Sequence, residues 1–186
     1  MAPSGQLTSS ALQALIQDGN LAGSWTLDTA RSEVRLKSRS MWGLAPVKGV
    51  FREVTGNGTV SAAGDVTGTI TVAARSVDTK NKKRDEHLRS ADFFDTANHP
   101  EITFAVRSAK AGAGDTVEVS GQLTVRGISR PQNLTARLAG ADADALTLDT
   151  EFTVDRAEFG LGWNQLGMIR GLTTVAATLR FVRTPA

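Results

Sequence analysis

The densest polar set in this chain is Arg84, Asp85, His87 and Arg89, inside Arg84-Asp85-Glu86-His87-Leu88-Arg89. A histidine beside a carboxylate can serve as a general base, and His87 is the better placed of only two histidines, the other being His99. Asp85 and Arg89 stand four apart, the spacing of an ordinary ion pair on one helical turn. A hydrolase would also need a nucleophile, and the sequence offers no recognisable one. Gly127-Ile128-Ser129-Arg130-Pro131 lacks the closing glycine of a nucleophile elbow. Gly160-Leu161-Gly162 is followed at the third-glycine position by Gln165, so it is no dinucleotide fingerprint. There is no P-loop and no HExxH, and the chain has no cysteine, so neither thiol chemistry nor disulfides contribute. No catalytic residue and no metal ligand is assigned. The polar set reads as a network pinning a long connection, with head-group contact and base catalysis as the sharper alternatives.

The elements that must position this set follow from periodicity. On both sides apolar residues alternate with polar ones, the period of a strand with one wet face. Trp25 and Leu27 open the series, followed by Val34 and Leu36, then Val66, Ile70 and Val72. Ile102, Phe104 and Val106 come next, then Val117, Val119, Leu123 and Val125, Leu134 to Leu138, Leu146 to Val154, and Val175 to Phe181. Glycine-rich turns at 56–58, 64–65, 112–115, 127 and 140–144 separate the runs. Such alternation belongs to antiparallel sheet, closed as a barrel or paired as a sandwich. Gly49, Gly68 and Gly121 inside strands favour the coiling that closure needs. Between these runs, 84–104 follows neither period throughout and reads as a long crossover with a short helix around 80–95.

Two further stretches stand out. Leu7, Leu12, Leu15 and Ile16 are spaced for a short amphipathic helix that closes one barrel end or pairs with another subunit. From Phe159 to Ile169, apolar side chains including Trp163, Leu166 and Met168 sit among glycines. That pattern fits a loop packed on the core, a lid over a cavity mouth, or a subunit contact.

The formal net charge of +2 gives no case for nucleic acid. Basic residues nevertheless concentrate: Arg35, Lys37 and Arg39 share a strand face, and Lys80, Lys82, Lys83 and Arg84 precede the connection. They read as solvated faces, or as an attraction for an anionic head group or membrane surface. The first twenty residues carry neither a basic start nor an apolar run of signal-peptide or membrane-span length, so the cytoplasm is the default expectation.

A resemblance gathers these features. Ser76-Val77-Asp78-Thr79, the Arg84 to Phe94 run, Pro100-Glu101-Ile102-Thr103-Phe104, Val47-x-Gly49-x-Phe51, Gly121-x-Leu123-Thr124-Val125-x-Gly127 and Phe159-Gly160 resemble the YceI-like polyisoprenoid-binding family over about residues 23–183. The resemblance implies an all-β, eight-stranded lipocalin-like barrel at 23–184, preceded by an extension at 1–22. It also implies an isoprenoid tail inside. All seven phenylalanines and three tryptophans come without a single tyrosine, which suits hydrocarbon. The expected lining and mouth are Trp25, Val34, Leu36, Phe51, Ile70, Val72, Phe93, Phe94, Ile102, Phe104, Leu123, Leu148, Phe152, Phe159, Trp163 and Met168. The expected function is non-enzymatic binding, transport or storage of a polyisoprenoid, isoprenoid quinone or similar lipid. No cofactor beyond that ligand is expected; transient membrane contact and a homodimer stay open. Two readings stand beside it: a small barrel isomerase or hydrolase using His87, and an interaction module with a filled core.

Overall fold

The computed structural model describes residues 14–16, 18–40, 45–142, 144–161 and 169–185. Among them are eleven antiparallel strand segments: β1 (Gly23–Leu27), β2 (Glu33–Ser40), β3 (Ala45–Phe51), β4 (Val54–Val60), β5 (Val66–Ala73), β6 (Val77–Asp78), β7 (Glu101–Ala111), β8 (Thr116–Val125), β9 (Ile128–Ala141), β10 (Ala145–Asp155) and β11 (Ile169–Arg183). They reduce to a closed eight-stranded barrel. β1 and β2 form one strand bent at a 3-10 turn, Thr29–Arg31, and both pair with β11. β3 and β4 form the second, bent at Arg52-Glu53; β5 and β6 form the third, bent at Ala74–Ser76. Pairings of β1 with β4, β2 with β3, β4 with β5 and β3 with β6 carry the bent wall around. β7 to β11 follow in chain order, and the pairing of β11 with β1 closes the ring.

Closure requires backbones to approach closely, and two glycines permit it. A Cβ on Gly68 would stand 2.5 Å from the Asn57 carbonyl oxygen, and one on Gly121 would stand 2.5 Å from that of Ala105 and 2.6 Å from the Phe104 ring. The β8–β9 hairpin turns on Arg126 and Gly127 alone. Both have positive φ, 52° and 72°, the geometry whose twist matches the flanking strands.

The segment expected to cross over contains the expected helix, α1 (Lys82–Arg89). It joins strands already paired as neighbours, Val72 facing Ile102, so it covers the barrel end instead of crossing the sheet. Eight residues with Leu88 as their only large apolar side chain would not hold a helix in water. Caps and anchors hold it. The Asn81 side chain accepts from the Arg84 N–H, and the Ser90 hydroxyl donates to the His87 carbonyl. The last carbonyls of the helix are taken by the following turn: Phe94 N–H donates to Leu88, and Thr96 N–H to Arg89. Of the expected N-terminal helix, residues 14–16 are described and helical; Gly19, at φ 70°, follows as the stop.

Candidate functional site

The inward faces of the eight strands do not meet. They enclose a cavity of about 490 Å³ running along the barrel. An engineered cavity of about 150 Å³ already admits benzene, so this space holds far more than a packing defect. A filled core is thereby set aside.

Most of the residues expected as lining stand along this cavity. Val34, Leu36, Phe51, Ile70, Val72, Ile102, Phe104, Leu123, Leu148 and Phe152 all face the cavity, with Trp25 towards one end and Phe93, Phe94 and Phe159 towards the other. Phe159 is almost wholly buried and packs with Leu161 against Leu123 and Val125. The beginning of the expected lid stretch is therefore core and cavity wall. Trp163 and Met168 lie outside the described residues.

One end is sealed. The Trp25 indole N–H donates to the Leu21 carbonyl at 2.9 Å, and the Arg183 guanidinium sits 4.6 Å from the centre of the Trp25 ring. Arg183 also donates to the Asn20 and Ala22 carbonyls, which ties the incoming chain across this end. Ile16 and Leu21 add to the lining there. Of the expected N-terminal helix only Ile16 is seen in this lining; Leu7 and Leu12 lie outside the described residues.

The other end is polar. Ser38, Thr79, Arg84, His87, Arg156 and Thr173 line it, and the Ser38 and Thr173 hydroxyls bond each other at 2.8 Å. Among the described lining residues every side chain able to carry charge is basic: Arg84, His87 and Arg156. Burial pushes the Arg156 pKa below its ordinary value, with neighbouring Asp155 opposing, and the guanidinium stays charged at the wall. The sequence reading missed Arg156, Ser38, Thr79 and Thr173. A signal existed for Arg156, because it continues the inward series Leu146, Leu148, Thr150, Phe152, Val154 by one more step of two.

The polar motif divides by role. Asp85 is buried and accepts from the Thr79 N–H at 2.9 Å and the Thr79 hydroxyl at 2.5 Å. Arg84 donates to the same hydroxyl and to the Thr79 carbonyl. Arg89 reaches back to the carbonyls of Arg75 and Val77. Asp85 and Arg89 do not form the ion pair that their spacing allows, because each is drawn to backbone on the strand below. His87 meets Asp92 at 3.0 Å and stands edge-on to Phe93, ring centres 5.3 Å apart. The carboxylate that meets His87 is Asp92, while Asp85 is turned to Thr79. Covalent catalysis would also need a side-chain nucleophile beside His87. Two hydroxyls in the lining at this end are engaged elsewhere, Thr79 with Asp85 and Ser38 with Thr173.

Comparison with known proteins agrees with this geometry. A family model described as the YceI-like domain matches residues 25–181. Protein YceI of Escherichia coli O157:H7 is 44% identical over 75 residues, 40% of this chain and 39% of the relative. Protein YceI of Shigella flexneri is 43% identical over a stretch of the same length. The matched stretch spans 39% of those curated relatives' length. Among solved structures, BcnA of Burkholderia cenocepacia superposes with a TM-score of 0.75 at 19% identity, covering 83% of this chain and 98% of that one. A polyisoprenoid binding domain from Saccharophagus degradans, implicated in plant cell wall breakdown, gives 0.71 at 18%, covering 86% and 98%. The Campylobacter jejuni YCEI protein gives 0.66 at 20%, covering 76% and 88%. At these identities the structural likeness is one of fold.

Proposed function

This chain belongs to the YceI-like family, and from that premise we propose that it is a non-enzymatic carrier or store for one long apolar ligand, a polyisoprenoid, isoprenoid quinone or similar lipid. The observation that carries this reading is the unfilled cavity of about 490 Å³, walled by hydrocarbon side chains for most of its length. The binding that the Saccharophagus degradans domain is named for points the same way.

The energetics favour a long ligand. Each buried methylene contributes roughly 0.8 kcal/mol gross. Association and ordering cost about 4–15 kcal/mol, so a chain of ten carbons barely offsets them while one of twenty or more does. On this reading the tail lies between Trp25 and Phe159, and its polar head rests among Arg84, His87, Arg156 and Thr173. His87 serves there as a wall residue held by Asp92.

Native mass spectrometry of the purified protein, followed by organic extraction, tests the proposal. It should show about one polyprenol or quinone per chain, retained from the host or taken up on addition. A protein that carries no lipid and takes up neither compound contradicts it.

A further inference from the structure

We propose that the outer wall at the polar end of the barrel docks on an anionic phospholipid bilayer. Lys37 on β2 stands directly opposite Lys48 on β3. Like charges at opposed cross-strand positions are destabilising. The register continues into β6, where Val50 faces Asp78 and the Gly49 position lies against the Thr79 methyl. Lys80, the residue after Thr79, adds a third lysine just beyond the end of β6, so that three lysines gather in a row on this wall. Lys82 and Lys83 follow in the first turn of α1, the end of a helix where its dipole disfavours cations. All five side chains are exposed. Two local preferences are overridden on one surface, as happens where function sets the residue.

The charges facing this row do not cancel it. Lys80 lies 3.5 Å from Asp78, a carboxylate that also holds Arg52 at 2.9 Å. Glu33 is occupied by Arg35, and Glu86 is exposed on α1. Lys37, Lys48, Lys82 and Lys83 have no carboxylate partner among the described residues. The far end is opposite in sign. Its hairpin tips at 61–65, 112–115 and 142–144 carry Asp65, Asp115, Asp142 and Asp144 and no lysine or arginine, although Arg137 and Arg183 approach two of these from the strands. A charge separation along the barrel axis orients the molecule, basic end first, towards a negative surface.

The same strand tips line the cavity on their inner side. Ser38, Val47, Gly49, Thr79 and Arg84 face inward next to Lys37, Lys48, Lys80 and Lys83. The basic surface therefore lies against a bilayer when the polar end of the cavity does. A nucleic acid is the poorer occupant, because no described aromatic side chain shares this outer face for base stacking.

Flotation of the ligand-free protein with vesicles tests the docking. The vesicles are phosphatidylcholine with about one-third phosphatidylglycerol, against phosphatidylcholine alone. Retention is expected on the anionic vesicles only, weakening as salt is raised. The triple variant Lys37→Gln, Lys48→Gln, Lys80→Gln should lose roughly a hundredfold in affinity, at about fivefold per lysine. Lys82→Gln with Lys83→Gln should lose about twenty-five-fold on the same basis. Lys110→Gln, on β7 towards the acidic end, should change nothing. Equal retention on neutral vesicles, no retention at low salt, or wild-type binding by both multiple variants overturns the proposal. So does tighter binding to single-stranded DNA than to the anionic vesicles. No cavity ligand takes part in this assay, so its failure and the failure of the carrier reading are separable.

Discussion

Asp85 shows how a residue chosen for its chemistry can turn out to be an anchor. Its carboxylate is buried and both of its contacts are to Thr79, so it fastens α1 to the end of β6. Deleting it leaves a buried N–H and hydroxyl unsatisfied. Asp85→Ala should therefore cost about 1–3 kcal/mol, read from the denaturation midpoint, with faster hydrogen exchange confined to α1. His87 is half-exposed and shares its bond with an exposed carboxylate. His87→Ala should cost less than Asp85→Ala, with polyprenol binding largely intact. The reverse order would make His87 the stronger anchor, and an activity abolished by His87→Ala with the melting temperature unmoved would give His87 the role of a base. The concentration of polar residues was legible in the sequence; their partners were not. Thr79 meets Asp85 because Lys80 takes a left-handed conformation, φ 62°, that folds the chain back on itself, and nothing in the types of residues 79–85 announces that turn.

The strands were legible because an inward side chain must be apolar every second residue, and every run read that way faces the cavity. The bends were not read, although their signal was present as a slip of phase. Trp25 and Leu27 face inward at odd positions, while Val34, Leu36 and Ser38 do so at even ones; Phe51 is followed by Val54, and Val72 by Val77. Each slip marks one of the three turns at which a long strand changes direction. The in-strand glycines were read as aids to coiling, and the geometry gives them a sharper reason, close approach. Gly121→Ala should push the Phe104 ring and the Ala105 carbonyl aside and cost about 1–3 kcal/mol. Gly140, with no atom within 4 Å of the space a Cβ would take, is the control. Gly140→Ala should be neutral or mildly stabilising in the same denaturation series. Equal midpoints for the two variants would show that the barrel wall is looser at Gly121 than these distances state.

At the scale of the whole molecule, an apolar lumen has Trp25 with Arg183 stacked on it at one end and is edged at the other by arginine, histidine and hydroxyls. Periodicity alone left barrel and sandwich open, since both bury one face of every strand; the family resemblance decided between them. Whether the lumen was filled could not be read, because the same leucines and phenylalanines line a packed core and an empty one. The cavity is thus the part of the account most exposed to test. The measurement that bears on it most directly is titration of polyprenol into Ala136→Phe beside the wild type, with the denaturation midpoint recorded on each. Ala136 is buried and lines the lumen, so a phenyl ring placed there would occupy ligand space. The account predicts a folded variant with an unchanged or raised midpoint and polyprenol affinity lowered at least tenfold. A variant destabilised by the ~1–3 kcal/mol of an overpacked core, or one that folds and binds polyprenol like the wild type, would contradict it.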